Sequence, residues 1–113
     1  LNLVFDTPNS ELLDLYHKHD IFLHPSMLEA GHPNLTLLEA MSSGLPTIAN
    51  WELGTDLHGA WSAPRDVFEM ERGLNDMINN FDAYRNKCLA TSQKLSWLNR
   101  SKDLIEIYKK FKF

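Results

Sequence analysis

The sequence predicts an α/β domain in which a Rossmann-like parallel sheet is flanked by helices. One observation is that short apolar runs alternate with longer runs of helical periodicity, an order typical of parallel α/β folds. A second is that residues 25–50 read as strand exit, polar loop, helix, turn and new strand, which is half of a doubly wound unit. A third is that the chain beyond the last apolar run has helical spacing alone. We therefore predict one domain, 1–113, with a β/α core at 1–63 and a helical closing segment at 64–113.

Four apolar runs are interpreted as strands of this sheet. Continuous apolar runs bounded by polar loops are typical of parallel strands that are buried on both faces. The first run begins the chain, and the third directly follows a Gly-Leu-Pro stop signal. The four predicted strands cover residues 1–5, 21–24, 47–49 and 60–63.

Helices are predicted between and after these strands. The first begins at Ser10, and the helices that follow the last strand cover 64–78, 81–94 and 98–110. Apolar residues at three- and four-residue steps mark the face of each helix that we expect to be buried. These inward-facing residues are Leu12, Leu13, Leu15, Tyr16, Val67, Met70, Leu74, Met77, Ile78, Tyr84, Cys88, Ala90, Leu104, Ile105, Ile107 and Tyr108.

The central helix has the clearest boundaries in the sequence. Apolar side chains recur at three-residue steps from Leu35 to Met41, and Asn34 is a suitable N-cap just before them. Gly44 followed by Pro46 predicts the end, because glycine adopts the left-handed C′ conformation and proline cannot continue a helix.

Glu39 gives this helix a chemical interpretation. It lies about 7 Å along the axis from the predicted N-cap, at roughly 1.5 Å per residue. The amides of Asn34, Leu35 and Thr36 would attract phosphates, while a carboxylate further along could accept two ribose hydroxyls. The geometry therefore suits a nucleoside diphosphate site, whereas spacing alone favours a solvated glutamate on an amphipathic helix.

The residues around this helix resemble those of a known enzyme family. The family comprises the retaining glycosyltransferases with the GT-B fold, namely glycosyltransferase family 4 and its group 1 relatives. Its central motif has a strand ending in Pro-Ser, a first glutamate, and a helix that contains Leu-Glu-Ala-Met. The segments that carry the resemblance are DIFLHPS at 20–26, Glu29, LEAMSSGLPTIA at 38–49, ELLDLY at 11–16, LSW at 95–97 and IY at 107–108.

The resemblance implies both an activity and roles for the two glutamates. The activity is transfer of a sugar from a nucleotide-diphosphate-sugar donor to an acceptor hydroxyl, with retention of configuration. Glu39 would hold the ribose, and Glu29 would be the catalytic residue that steadies positive charge near the anomeric carbon. The resemblance implies no cofactor beyond the donor substrate, and no metal, because the Asp-x-Asp pair of the other main glycosyltransferase fold is missing from the sequence.

One departure from the family concerns the spacing of these glutamates. The family places seven residues between them, whereas nine separate Glu29 from Glu39 here. A two-residue insertion within 30–34 would lengthen the loop and leave both glutamates in their roles. If instead the register changes, Gly31 takes the family position of the first glutamate and contributes a backbone amide.

The resemblance also implies that parts of the enzyme lie outside this chain. The chain is similar to the second half of a donor-binding domain and lacks the Gly-rich turn and Arg/Lys pair that grip the pyrophosphate. We therefore expect a fragment that is inactive alone and needs an N-terminal acceptor domain or a partner chain. Two alternatives remain: an epimerase or phosphorylase of the same fold, for which Glu29 and His32 are the acid–base candidates, and a non-catalytic donor-binding half.

Composition restricts the remaining function classes. A net charge of −4 argues against a nucleic-acid surface, which needs clustered lysine and arginine. A single cysteine, Cys88, excludes an internal disulfide framework and favours the cytoplasm. Lys109, Lys110 and Lys112 form the only basic cluster, a candidate for weak peripheral membrane contact. His17 and His19 lie two residues apart and do not share a helix face, so no metal site is predicted.

Overall fold

The structure, a computed structural model, describes residues 3–24, 35–49, 60–62 and 66–111. Helices contribute more residues than strands, and every described strand lies before the last three helices. The elements in chain order are α1 (Asn9–His17), β1 (Phe22–His24), α2 (Leu35–Ser42), β2 (Thr47–Ala49), β3 (Ala60–Ser62), α3 (Val67–Asn79), α4 (Phe81–Lys94) and α5 (Trp97–Lys110).

The three strands form a parallel sheet in the order β1-β2-β3. Phe22 pairs with Thr47, and Ala49 pairs with Ser62. All three residues of β2 are buried, which is expected of a middle strand in a parallel sheet covered on both faces. The predicted α/β class is confirmed, as are the predicted strands at 21–24 and 47–49, each to within one residue at its ends. The strand predicted at 60–63 is confirmed over Ala60–Ser62, and residue 63 lies outside the described residues.

The connection from α2 to β2 follows the predicted stop signal. Gly44 has a φ of +82°, so it occupies the left-handed region. Its N–H donates to the carbonyl of Met41 at 3.0 Å, and the N–H of Leu45 donates to the carbonyl of Ala40 at 3.1 Å. These two bonds define a Schellman motif, which satisfies carbonyls that the helix end would leave without partners. Pro46 then leads the chain directly into β2.

The core lies on the two faces of the middle strand. On one face Ala49 packs with Leu37 and Met41 of α2 and Cys88 of α4, and Phe22 and Leu95 border this cluster. On the other face Ile48 packs with Met77 of α3. Tyr84 of α4 borders the second cluster, so α4 reaches both. The helices after residue 66 therefore build the core together with the strand segments.

The predicted strand at 1–5 is wrong in the part that the structure describes. Leu3, Val4 and Phe5 form no strand and are 70%, 62% and 78% exposed. A buried parallel strand needs a ladder partner at its edge and apolar cover on its faces. Strand β1 offers an edge, but its Leu23 is itself exposed, so the described helices leave little apolar cover beside it. Local hydrophobicity alone does not make this segment a strand.

Several side chains predicted to face inward are exposed. In α3, Met77 is buried and Met70 is partly buried, whereas the other predicted residues of that face are not. Helix α5 lies mainly against α4 and buries none of its residues. A periodic apolar pattern identifies the apolar face of a helix, but it does not show whether another element of the chain packs against that face. The exposed residues of the predicted faces are Leu13, Leu35, Val67, Leu74, Ile78, Ala90, Leu104, Ile105, Ile107 and Tyr108.

Side-chain caps set two helix starts that periodicity misplaced. Asp66 accepts the N–H of Phe68 at 2.9 Å, so α3 begins at Val67 and not at residue 64. Ser96 accepts the N–H of Asn99 at 3.3 Å, so α5 begins at Trp97. Each cap satisfies an amide at the helix end, which fixes the first helical residue more firmly than the apolar pattern does.

Replacing Gly44 by alanine is expected to lower the free energy of unfolding by about 1–2 kcal/mol, the usual cost of the left-handed conformation. A Cβ there would also come within 3.1 Å of Arg85 Nε, a flexible side-chain end that can shift. Gly44→Asn is the matched control, because it adds the same Cβ but tolerates positive φ better. Urea denaturation measures both, and equal losses would show that contact with Arg85, not φ, sets the cost.

The stability of the chain is expected to fall in alkaline solution because of Cys88. Burial raises the pKa of this thiol from 9.0 to about 12, although a backbone hydrogen bond with Thr47 acts in the opposite direction. Between those values the folded chain keeps a proton that the unfolded chain loses. The contribution of the thiol is therefore fully present below pH 9 and is lost as pH rises toward 12.

Urea denaturation at several pH values measures this effect, with Cys88→Ala as the comparison. The variant should show a smaller fall in unfolding free energy over the same range. Tyr84 adds to the fall in unfolding free energy with pH in both proteins, because burial, and then Asp76, raises its pKa to about 12. Identical slopes would contradict the assignment to Cys88. Alkylation should agree, with the native thiol reacting far more slowly than the unfolded one.

Candidate functional site

Glu39 lies in the second half of α2, and its carboxylate lines a solvent-open cavity between α1 and α2. The cavity measures about 340 Å³. Ligand pockets commonly measure about 300–1,000 Å³, so this one matches a sugar-sized group and not a whole nucleotide sugar. Its lining residues are Asn9, Leu12, Leu13, Tyr16, Glu39, Ser42 and Ser43.

Tyr16 of α1 holds the carboxylate of Glu39 from across the cavity. Its hydroxyl donates to Glu39 Oε2 at 3.3 Å. Burial raises the pKa of the Tyr16 phenol, and the negative charge of Glu39 and the hydrogen bond to it act in the same direction. The phenol therefore stays protonated, as a donor must, across the neutral pH range.

The ring of Tyr16 is connected to the core through Phe22. The two rings meet edge to face, with their centroids 6.1 Å apart and their planes at 71°. Phe22 borders the apolar cluster that contains Leu37 and Met41 of α2. The hydrogen bond to Glu39 thus starts from a ring that rests on the same core as the helix carrying Glu39.

Two serines close the cavity at the end of α2. The hydroxyls of Ser42 and Ser43 each donate to the backbone carbonyl of Glu39 at 2.9 Å. The N–H of Ser43 donates to the same carbonyl at 3.1 Å. The hydroxyl protons are therefore engaged within the helix, while the oxygens keep lone pairs that can accept bonds from a ligand.

The amino end of α2 presents the other chemical group of the predicted site. Leu35 and Thr36 occupy the first turn of the helix, and both are exposed. The first amides of a helix have no acceptor within it, and they carry partial positive charge. At about 1.5 Å per residue, Leu35 is roughly 6 Å along the axis from Glu39. One short helix therefore carries both an anion-attracting end and a carboxylate.

Three predicted site residues lie outside the described residues. They are Glu29, Gly31 and Asn34, all in the segment 25–34 that follows β1. The structure brings Leu35, Thr36 and Glu39 together on α2, and the roles of the other three remain predictions.

The contact between Tyr16 and Glu39 is not predicted by the apolar spacing of α1. That spacing places the tyrosine on the apolar face of the helix, which its contact with Phe22 confirms, but it says nothing of the hydroxyl. The order of the elements could have predicted this contact, because α1 directly precedes strand β1 and α2 follows it. When both helices lie over one side chain of that strand, here Phe22, a tyrosine in the first can reach the second.

The described residues contain neither a metal-binding cluster nor a membrane-spanning helix. Within 3–24, 35–49, 60–62 and 66–111, no three His, Cys, Asp or Glu side chains come together as a metal site would require. Among the described helices, none combines the length and the apolar character needed to cross a bilayer. At the basic end of α5, Lys109 pairs with Glu106 at 2.8 Å.

Comparison with known proteins identifies the family. The model of the family described as glycosyl transferases group 1 matches residues 3–80, which is more than half of the chain. The chain therefore belongs to the group 1 glycosyltransferases, as the resemblance of its central motif predicted. Neither a curated protein nor a solved structure matched the chain. Membership in this family supports sugar transfer as the general activity.

Proposed function

We propose that this chain supplies part of the donor site of a retaining glycosyltransferase with the GT-B fold. The enzyme would transfer a sugar from a nucleotide-diphosphate-sugar to an acceptor hydroxyl. The observation that carries the proposal is the position of Glu39, whose side chain lines an open cavity and lies about 6 Å along the axis from the amino end of the same helix. That helix lies within the segment matched by the family.

The carboxylate of Glu39 binds the ribose in this proposal. An ionised carboxylate has about four acceptor sites, of which Tyr16 occupies one. Enough acceptor capacity remains for the two neighbouring hydroxyls of a ribose. The cavity volume of about 340 Å³ fits a ribose, and its two serine oxygens offer further acceptors.

The diphosphate and the sugar lie toward the amino end of α2. The amides of Asn34, Leu35 and Thr36 meet the phosphates, and the helix dipole favours their negative charge. Glu29 then stands beside the donor sugar and stabilises positive charge that develops at the anomeric carbon. This order places ribose, diphosphate and sugar along one helix and the loop before it.

The proposal also requires an acceptor-binding domain or a partner chain. Helix α5 presents apolar side chains at helical spacing that the described chain does not cover, including Trp97 (84% exposed), Leu98, Ile105 and Tyr108. Contiguous exposed apolar surface commonly marks an interface. We propose that this face packs against the domain that binds the acceptor.

Kinetics of the full-length protein should separate the two glutamates. Glu39→Ala is expected to raise KM roughly tenfold or more, since a hydrogen bond to a charged group contributes about 1.5–3 kcal/mol to ground state and transition state alike. Glu29→Gln is nearly isosteric and should lower kcat, by a factor on the order of 10², with KM changed little. Initial rates over a range of donor concentrations measure both.

Glu71→Gln is the control for these variants, because Glu71 is exposed on α3 and should leave kcat and KM unchanged. A kinetically silent Glu29→Gln would mean that the nine-residue spacing moves Glu29 out of the site, leaving the Gly31 amide in its place. A silent Glu39→Ala would overturn the ribose assignment.

We further propose that sugar transfer needs no divalent cation, because the sequence contains no Asp-x-Asp pair and the family resemblance implies metal independence. Initial rates of the full-length protein should be the same with and without EDTA. Loss of activity in EDTA that manganese restores would count against the GT-B assignment.

A further inference from the structure

We propose that Tyr16 is a positioning residue that holds the Glu39 carboxylate in the orientation that binds ribose hydroxyls. The inference rests on the proposed function, because it assigns Tyr16 a part in the same donor site. It adds a residue from α1 to a site that is otherwise built from α2 and the loop before it. The observation behind it is the bond from the Tyr16 hydroxyl to Glu39 Oε2 across the cavity.

Glu39 needs such a restraint because its side chain is exposed. An exposed glutamate samples many rotamers, and ordering it costs binding energy that a preformed arrangement avoids. Within α2 the serine bonds restrain only the Glu39 backbone carbonyl, since both hydroxyls donate to that atom. Tyr16 reaches the carboxylate itself.

Tyr16 can act as a restraint because its own ring is fixed. A tyrosine has only two side-chain rotations, and here the ring meets Phe22 edge to face. Phe22 in turn borders the buried cluster that includes Leu37 and Met41. A rigid donor therefore links the core to the carboxylate, and one oxygen of Glu39 is oriented while acceptor capacity remains for the ligand.

The chain contains a matched bond away from the cavity. The hydroxyl of Tyr84 donates to Asp76 Oδ2, and Tyr84 borders the cluster on the opposite face of β2. Tyr16→Phe and Tyr84→Phe each remove one phenol–carboxylate bond and retain the ring. Only the first should affect ribose recognition if Tyr16 positions Glu39, whereas a purely structural role would make the two variants behave alike.

The experiment measures how strongly the full-length protein distinguishes a ribose from its dideoxy form. The probes are the uridine, adenosine, guanosine and cytidine diphosphates, each paired with its 2′,3′-dideoxy analogue, in calorimetric titrations. The quantity compared is the Kd of the dideoxy analogue divided by the Kd of the parent diphosphate, for the nucleoside that binds most tightly. This ratio should be roughly tenfold or more in the unchanged protein and near one in Glu39→Ala. Tyr16→Phe should reduce the ratio by about 2- to 10-fold, and Tyr84→Phe should leave it unchanged.

The outcomes separate this inference from the proposed function. A ratio that collapses in Glu39→Ala but is unaffected in Tyr16→Phe overturns the positioning role alone. No binding of any diphosphate, or a ratio that Glu39→Ala does not change, overturns the ribose site and the inference with it. An equal reduction in Tyr16→Phe and Tyr84→Phe also overturns the inference, because it indicates general loosening of the fold.

A ligand-free measurement tests the bond itself. The ring carbon resonances of Tyr16, followed by NMR through its ionisation, report the pKa of the phenol. Because Glu39 raises that pKa, Glu39→Gln should lower it toward the ordinary value of 10.0. The same substitution should leave the titration of Tyr84 unchanged. A Tyr16 titration that does not respond to Glu39→Gln would overturn the positioning role without reference to any ligand.

Discussion

Burial of β2 from both sides is the constraint on which the rest of the structure depends. Its three residues, Thr47–Ala49, form ladders with strands on both edges and are closed off from solvent. Ile48 brings α3 to one face of the sheet, and Ala49 brings α2 and α4 to the other. Removing apolar surface from water contributes roughly 25 cal/mol per Å², so a strand covered on both faces concentrates much of the available stabilisation in few residues. The position of α2, and therefore of Glu39, follows from this packing.

The path from the core to the cavity is short. Phe22 pairs with Thr47 in the sheet and borders the cluster beneath α2, and its ring supports Tyr16. Tyr16 then contacts the Glu39 carboxylate. Strand register, ring packing and one hydrogen bond thus fix a charged group at the surface through contacts that begin in the core. The position of the Glu39 carboxylate in this cavity is therefore a consequence of the same packing that stabilises the sheet.

The sequence predicted those elements whose signals are local. Gly44 and Pro46 fixed the end of α2, because a left-handed residue and a proline leave the backbone few alternatives. The strands at 22–24 and 47–49 were equally predictable from their short apolar runs. The burial of helix faces was harder to predict from the sequence. Val67 and Ile105 are apolar at the right spacing, yet they lack a covering neighbour in the described chain. The hydrogen bond from Tyr16 was not predicted for a related reason, since its hydroxyl meets a residue 23 positions away.

The exposed apolar residues of the described chain are unevenly distributed. The core of the described chain packs around β2, while groups of exposed apolar side chains occur before α1, on α3 and along α5. Leu13, Leu23 and Leu35 are exposed singly on α1, β1 and α2. Solvent-exposed leucines occur singly on most proteins, but the periodic stripe of α5 has the i, i+3, i+4 spacing of a packed helix. In the proposed function, this face of α5 is the contact surface for the acceptor-binding domain, and α2 carries the groups that bind the donor. The proposed donor site and the proposed interface therefore lie on different helices.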